Sequence, residues 1–167
     1  MITLGIDPGT AITGYGIISE EQDGTLKVLD YGVIRTSSVN TQAERLVQLY
    51  ERIKDLILLH QPAMGSVEKL FFEKNVRTAL HVGQARGIAL LAMAQGGMKI
   101  GEYTPMEVKQ AVAGYGGADK NQVQQMVKTI LSLDEIPHPD DAADALAVAI
   151  CHIHSVKIHD LYVENKP

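Results

Sequence analysis

An apolar run over residues 2–6 begins the chain and ends directly in a carboxylate, Asp7, which Pro8 and Gly9 follow. A short continuous apolar run bounded by turn residues is typical of a fully buried strand. A charge at the end of such a strand costs free energy unless a partner compensates it. The run therefore predicts a buried strand that delivers one carboxylate to a fixed place where a partner is required.

Asp7 also has an ordinary alternative role. Aspartate before a Pro-Gly pair is common turn chemistry, because its side chain can accept hydrogen bonds from the backbone of the turn. The local sequence by itself leaves both a turn cap and a catalytic role open.

The rest of the chain alternates strand and helix patterns. Two further strands are predicted over residues 11–19 and 26–37, with an Asp-Gly hairpin signal at 23–24. Two more strands are predicted at 63–68 and 98–103. Helices follow the capping residues Thr41, Thr104 and Asp119. Further helices are predicted over 75–95 and from about 140 to 156. The order β-β-β-α-β-α-β-α-α-α predicts an α/β fold with a five-stranded mixed sheet flanked by helices.

Length and composition favour one domain of 1–167, with a core over about 2–156 and a short tail over 157–167. A chain of this size can bury a core without disulfides. One cysteine, Cys151, allows no disulfide within the chain, which fits a reducing, cytoplasmic compartment. No segment resembles a signal peptide or a membrane span, so we expect no membrane partner.

The formal net charge is −5, which taken by itself argues mildly against a nucleic-acid partner. Acidic residues cluster at 20–23, at 134–135 and in the tail, away from the stretches that carry the candidate basic residues. A local positive surface is therefore compatible with the negative total.

Acidic residues at four positions stand out: Asp7, Glu68, Asp141 and Asp144. Glu68 ends the fourth strand, which follows a crossover helix and so can lie parallel to the first strand, with Asp7 and Glu68 as neighbours. Asp141 and Asp144 are three residues apart and share a helix face. Alanines nearby would let that helix pack closely on the sheet.

Carboxylates that converge in a half-buried site repel one another and cannot all be ionised without cations. An all-oxygen ligand set favours Mg²⁺ or Mn²⁺ over zinc. Two such ions can activate a water and stabilise the leaving oxygen in phosphodiester cleavage, and Asp7 is the best candidate to bridge them.

Each of these acids has a simpler alternative. Glu68 could be a solvated strand end, and Asp140, Asp141 and Asp144 could be charges favoured by the helix dipole. We prefer the dipole interpretation for Asp140, whereas the apolar surroundings of Asp141 and Asp144 favour a functional role.

Five segments resemble the RuvC family of Holliday-junction resolvases: "GIDPGTAITGYGII", "VEKLFFEKN", "GQARGIALL", "VKQAVAGYGGADKNQVQQMV" and "DDAADALAVAICH". They occur in the family order from residue 2 to about 155. The resemblance implies a ribonuclease-H-like, retroviral-integrase-like fold and a homodimer. It further implies paired symmetric nicks at four-way DNA junctions in recombination and repair, leaving 5′-phosphate and 3′-hydroxyl ends.

The resemblance also implies cofactors and partners. It predicts two Mg²⁺ ions per subunit, with Mn²⁺ as a substitute, and a branch-migration complex of RuvA and RuvB type proteins as the partner of the junction-bound enzyme in the cytoplasm. The family's catalytic, metal-binding acids fall on Asp7, Glu68, Asp141 and Asp144. The family-like "DAADALA" begins at Asp141, which selects Asp141 over Asp140.

Further positions are implied to contact DNA. Phe71 matches an aromatic residue that engages the junction, where an aromatic ring can stack on an unpaired base; a core phenylalanine is the alternative. Lys109 and Lys120 match lysines near the DNA and the scissile phosphate, the alternative being solvated helix lysines. Further phosphate contacts are expected at Lys74, Asn75, Arg77 and Arg86. The helix over 75–95 is expected to supply the dimer face, unless its apolar residues are ordinary core.

Three other functions are weighed against this one. The segment "GIDPGT" resembles the phosphate loop of actin-like ATP-binding proteins, but those need two lobes and this chain is too short for them. A ribonuclease-H-like nuclease acting on RNA or other branched DNA is a second alternative. A catalytically dead junction-binding module is a third, against which the four carboxylates argue.

Overall fold

The computed structural model describes residues 1–69 and 76–164, with the backbone alone for 76–78 and 160–164. The strands are β1 (Ile2–Asp7), β2 (Ile12–Glu20), β3 (Leu26–Arg35), β4 (Met64–Glu68) and β5 (Lys99–Tyr103). The helices are α1 (Gln42–His60), α2 (Val76–Gln95), α3 (Pro105–Ala113), α4 (Lys120–Ile130) and α5 (Asp140–Glu164). The predicted order of elements is confirmed over these residues.

The strands form one mixed sheet in the order β3-β2-β1-β4-β5. The first three strands are antiparallel neighbours, whereas β4 runs parallel to β1 and β5 runs parallel to β4. The crossover through α1 explains the parallel pairing of β1 with β4, because a parallel neighbour can be reached only by a long connection. The α/β fold with a mixed sheet is therefore as the sequence predicts.

Helices cover both faces of the sheet. On one face, Leu4, Ile6 and Val67 are fully buried in a core shared with α1 and α2. On the other face, the alanine-rich α5 packs in a core shared with α3 and α4. Since side chains alternate along a strand, the residues between those buried ones point towards α5.

Small residues let α5 lie directly on the sheet. A Cβ atom at Gly5 would collide with the carbonyl oxygen of Ala145, and one at Gly14 would collide with that of Asp141. The helix backbone therefore approaches the strand backbone more closely than any larger side chain would allow. This close approach fixes where the first turn of α5 lies.

The predicted helix starts are also found. Thr41 and Thr104 form capping boxes with Glu44 and Glu107, and Asp119 accepts a hydrogen bond from the backbone N–H of Gln122. Each cap satisfies backbone groups that the first helical turn leaves without partners.

The prediction that the last helix ends near Val156 is wrong, because α5 continues to Glu164. The segment from Asp140 to Glu164 contains no glycine or proline that would end a helix. Lys157 also forms an ion pair with Glu20 of β2, at 2.6 Å between Nζ and Oε1.

Among the described residues, no helix is long and apolar enough to cross a membrane.

Candidate active site

Two carboxylates lie at the carboxyl ends of neighbouring parallel strands. Ile6 of β1 is paired with Val67 of β4, so Asp7 and Glu68 come next to each other at the same edge. Ile6 and Val67 point towards α1 and α2, so the alternation of side chains turns Asp7 and Glu68 towards α5. The expected neighbourhood of these two acids is therefore present.

The first turns of α5 bring two more carboxylates to this edge. Gly14 is the cross-strand partner of Asp7, and the carbonyl of Asp141 lies directly over Gly14. Asp144 follows one turn later, and both Asp141 and Asp144 are half-buried. The close packing of α5 on β2 therefore places the second acid pair beside the first.

The site raises the proton affinity of Asp7. Burial, followed by the charges of Asp144, Glu68 and Asp141, raises the pKa of Asp7 from 3.8 to about 7. Both causes disfavour the ionised carboxylate, since it is removed from water and surrounded by like charges. All three other acids of the predicted set are thus close enough to Asp7 to act on its charge.

Two neighbours show the same direction of shift. Burial and the charge of Asp144 raise the pKa of Glu68, and the nearby Lys109 partly opposes that rise. Burial also raises the pKa of Asp144, against the hydrogen bond and charge of Lys120. The cluster therefore holds more negative charge than its own lysines neutralise.

Lys120 is the cation that enters this cluster from α4. Its Nζ lies 3.1 Å from Oδ2 of Asp144 and 3.1 Å from Oδ2 of Asp140. Burial lowers the pKa of this ammonium, but the hydrogen bonds and charges of Asp144 and Asp140 outweigh it, and the net pKa is raised. Lys120 therefore stays protonated at neutral pH.

Lysines and acids line a common cleft of about 190 Å³. Its polar wall carries Glu68, Asp144, Lys109 and Lys120. Its apolar wall consists of Pro105, Val108, Val123, Ala147 and Val148. The two lysines singled out from the sequence thus face the same space as two of the predicted acids.

The donor set fits hard divalent cations. Its members are carboxylate oxygens, which Mg²⁺ and Mn²⁺ prefer, and the raised pKa of Asp7 marks uncompensated negative charge. In the described part of the chain, no three acidic, histidine or cysteine side chains already stand as a ligand set for a metal ion. The acids therefore lie close enough to act on one another's charges without forming a complete ligand set.

Asp140 differs from its neighbour Asp141. Its side chain is 57% exposed, forms the ion pair with Lys120, and accepts a hydrogen bond from Nε2 of Gln124 at 3.1 Å. These contacts, on the outer side of the first turn of α5, lower the pKa of Asp140. Asp140 is thus an exposed partner of Lys120, and the choice of Asp141 over Asp140 as a site residue stays a prediction.

Arg86 lies outside the cleft. It projects from α2, on the opposite face of the sheet from α5, where it forms an ion pair with Glu102. Its Nε also donates a hydrogen bond to the carbonyl oxygen of Glu68, at 3.1 Å. The guanidinium of Arg86 therefore binds protein groups at the end of β4 and on β5.

The side chains of the other predicted DNA-contact residues are not described by the structure. Phe71, Lys74 and Asn75 lie outside the described residues, and for Arg77 the backbone within α2 is described without the side chain. Their roles stay predictions.

The sequence alone does not indicate the apolar wall of the cleft or the contacts of Arg86. Val108 and Val123 occupy buried positions of amphipathic helices, which cannot be told from ordinary core by their spacing. Pro105 is the one residue of this wall whose place the sequence indicates. It begins α3 directly after the end of β5, so it must lie near the end of that strand.

The chain is similar to known proteins over most of its length. The family model described as crossover junction endodeoxyribonuclease RuvC matches residues 3–152. A protein of that name from Roseiflexus sp. (strain RS-1) is 58% identical over 153 residues, which are 92% of this chain and 90% of the relative.

Solved structures are similar over the same length. The Thermus thermophilus RuvC structure superposes with a TM-score of 0.89 at 36% identity, covering 95% of this chain and 97% of the other. T. thermophilus RuvC in complex with Holliday junction substrate gives a TM-score of 0.86 at 34% identity, covering 95% and 96%.

Proposed function

The chain belongs to the RuvC family of crossover junction endodeoxyribonucleases, and from that premise we propose how its cleft performs the family's reaction. As a member, it is a nuclease that resolves Holliday junctions in DNA recombination and repair. Membership is inconsistent with the actin-like ATP-binding alternative. The observation that carries the proposed mechanism is the convergence of Asp7, Glu68, Asp141 and Asp144 on one sheet edge beside Lys120.

Divalent cations, with Mg²⁺ as the physiological ion and Mn²⁺ as a substitute, are proposed to bind between these four carboxylates. Two ions per subunit would balance the like charges that raise the pKa of Asp7. When bound, such ions activate a water and stabilise the leaving oxygen of a phosphodiester. Asp7, whose pKa the charges of all three other acids raise, would be one of the residues that hold these ions.

The lysines of the cleft are proposed to bind the scissile phosphate. Lys120 is protonated and lies within 3.1 Å of Asp144, so a phosphate oxygen at the acids can also reach its ammonium. Lys109 lies on the same wall beside Glu68. Their charges would offset the negative charge that develops on the phosphate during cleavage. Because both cations are already in place, little solvent has to reorganise as that charge develops.

The apolar wall is proposed to limit water around the reacting phosphate. Val108 and Val123 are buried, and their side chains line the cleft together with Pro105. A drier site strengthens the interaction between the lysines and the phosphate, because the effective dielectric constant is lower there.

A homodimer is proposed to supply two such clefts for paired, symmetric nicks that leave 5′-phosphate and 3′-hydroxyl ends. Support comes from an exposed stripe on α2 formed by Leu80, Gln84, Gly87 and Leu91, at helical spacing. Leu80 and Leu91 are 61% and 47% exposed, and a Cβ at Gly87 would meet nothing within 4 Å. A second copy of α2 could therefore approach this stripe closely.

The surroundings of the reaction are proposed from family membership. The dimer would act in the cytoplasm on junctions that a branch-migration complex of RuvA and RuvB type proteins presents. Phe71 is proposed to stack on a base, and Lys74, Asn75 and Arg77 to contact phosphates, as the family resemblance implies.

A cleavage assay tests the proposed mechanism. Purified protein with Mg²⁺ should nick a synthetic four-way junction at symmetric positions, giving ends that a ligase can seal, and should not nick with EDTA. Asp7→Asn should abolish nicking and leave junction binding within about twofold of wild type, since removing one active-site charge does not weaken phosphate contacts elsewhere.

Asp55→Asn, on the exposed surface of α1, is the matched control and should nick at the wild-type rate. Nicking by Asp7→Asn at the wild-type rate would refute the proposed ligand set. Equal cleavage of linear duplex or of an RNA substrate would instead favour the alternative of a less selective ribonuclease-H-like nuclease.

A further inference from the structure

The peptide bond between Glu68 and Lys69 is held from both sides. Its carbonyl oxygen accepts a hydrogen bond from Nε of Arg86 at 3.1 Å. Its N–H donates a hydrogen bond to the carbonyl oxygen of Tyr103 at 2.7 Å. This peptide lies at the end of β4, so the two contacts fix the backbone that carries the Glu68 side chain.

Arg86 is itself held in place. Its terminal guanidinium nitrogen forms an ion pair with the carboxylate of Glu102, and the arginine side chain is 20% exposed. Arg86 belongs to α2 and Glu102 to β5, so the contact ties a helix and a neighbouring strand to the end of β4. Arg86 and Glu102 lie on the face of the sheet opposite the cleft, and the carbonyl group of Glu68 lies at the edge of the sheet.

We propose that Arg86 is a positioning residue for the Glu68 carboxylate, and that Glu102 orients Arg86 for this task. The inference rests on the proposed function, in which Glu68 is a metal ligand. It replaces the expectation that Arg86 contacts a DNA phosphate, because its charge is paired with Glu102 and it lies on the far side of the sheet from the cleft.

The chemistry of arginine suits this role. The planar guanidinium presents Nε to the carbonyl and a terminal nitrogen to the carboxylate at a fixed angle. A lysine ammonium at the same position keeps the charge but has no rigid fork, so it cannot hold both partners in one geometry. Arg86→Lys therefore separates the positioning role from the presence of a positive charge.

The test compares Arg86→Lys and Glu102→Gln with wild type and with Arg52→Lys, a matched control on the exposed surface of α1. In metal-free protein, amide hydrogen exchange at Lys69 should be faster in Arg86→Lys and unchanged in the control. Single-turnover nicking by Arg86→Lys should fall about 10–100-fold, and the Mg²⁺ concentration for half-maximal rate should rise, as for other groups that orient metal ligands. Glu102→Gln should show smaller changes in the same direction.

Junction affinity without metal should stay within about twofold in both variants, with an unchanged salt dependence, because no phosphate contact is lost. A phosphate-binding Arg86 would give the opposite result, in which Arg86→Lys weakens junction binding or changes its salt dependence while Mg²⁺ dependence stays as in wild type. That result, or unchanged exchange at Lys69, would overturn the proposal. A wild-type protein that fails to nick would contradict the proposed function instead, and the exchange data would still report on the Arg86 contact.

Discussion

The carbonyl oxygen of Asp141 lies directly over Gly14, so tightly that the site has no room for a β-carbon. Because Gly14 is paired with Asp7 across the sheet, this one backbone contact sets the distance between the acids of α5 and the acids of the strands. The active-site geometry therefore depends on a residue that has no side chain.

Gly14→Ala is expected to displace the start of α5. The added methyl group meets backbone atoms, which no change of rotamer can relieve, so we expect a loss of more than about 2 kcal/mol in the free energy of unfolding. Nicking should fall with it. Urea unfolding measures the stability, and Gly117→Ala is the control, since its Cβ would lie at an ordinary 3.4 Å from the Tyr115 ring. Equal stability of the two variants would contradict the close packing.

Asp7 should destabilise the metal-free fold at high pH. Its folded pKa of about 7 lies above its unfolded value, so the folded state binds the extra proton between about pH 4 and 7. The folded state therefore becomes less stable as the pH rises through this window, and the full penalty is present above pH 7. Asp7→Asn should melt several degrees higher than wild type at pH 8 in EDTA, and the difference should shrink towards pH 4.

Thermal melts from pH 4 to 8 measure this difference, with Asp55→Asn as a control that should show no such trend. Added Mg²⁺ should raise the melting temperature of wild type more than that of Asp7→Asn, because a ligand stabilises the state that binds it. A lower melting temperature for Asp7→Asn at pH 8 would show that the carboxylate is compensated within the protein.

Asp140 and Asp141 should differ sharply on mutation. Asp141→Asn removes one of the charges that act on Asp7 and a proposed metal ligand, so nicking should fall at least about 100-fold. Asp140→Asn removes an exposed partner of Lys120 and should change the rate by less than about fivefold, as exposed ion pairs contribute little. Single-turnover rates decide between them, and a reversed order would mean that Asp140 is the ligand.

Lys120→Ala should shift the pH dependence of nicking. Lys120 lowers the pKa of Asp144 and of Asp7, so its removal should raise both values and move the acidic limb of the rate profile to higher pH. Lys128→Ala, also on α4, is the control. Rates measured from pH 5.5 to 9 test the shift, and an unmoved profile with a uniformly lower rate would restrict Lys120 to binding the phosphate.

Leu91→Lys should dissociate the proposed dimer. It places a charge within the exposed stripe on α2, where a partner helix would have to bury it at a high cost in free energy. Val47→Lys on α1 is a control of similar exposure, at 61%. Sedimentation should give a monomer for the first variant and a dimer for the second, whereas a dimer in both would place the interface elsewhere.

Much of the fold and of the site could be predicted from local chemistry. The caps at Thr41, Thr104 and Asp119 start helices by satisfying nearby backbone groups, so a few adjacent residues encode them. The end of α5 was missed for a related reason, because the segment after Val156 carries no breaker, and the absence of a signal is weak evidence for a helix end.

The sequence by itself determined which acids alternate onto one face of β1 and β4, and which acids share a turn of α5. These follow from the periods of strand and helix, which are properties of the backbone. Only the tertiary structure decided that Lys120 stands between Asp140 and Asp144 and that Arg86 holds the end of β4 from the far face. Long flexible side chains reach partners that are distant in sequence, and no local pattern specifies which partner they meet once the elements have packed.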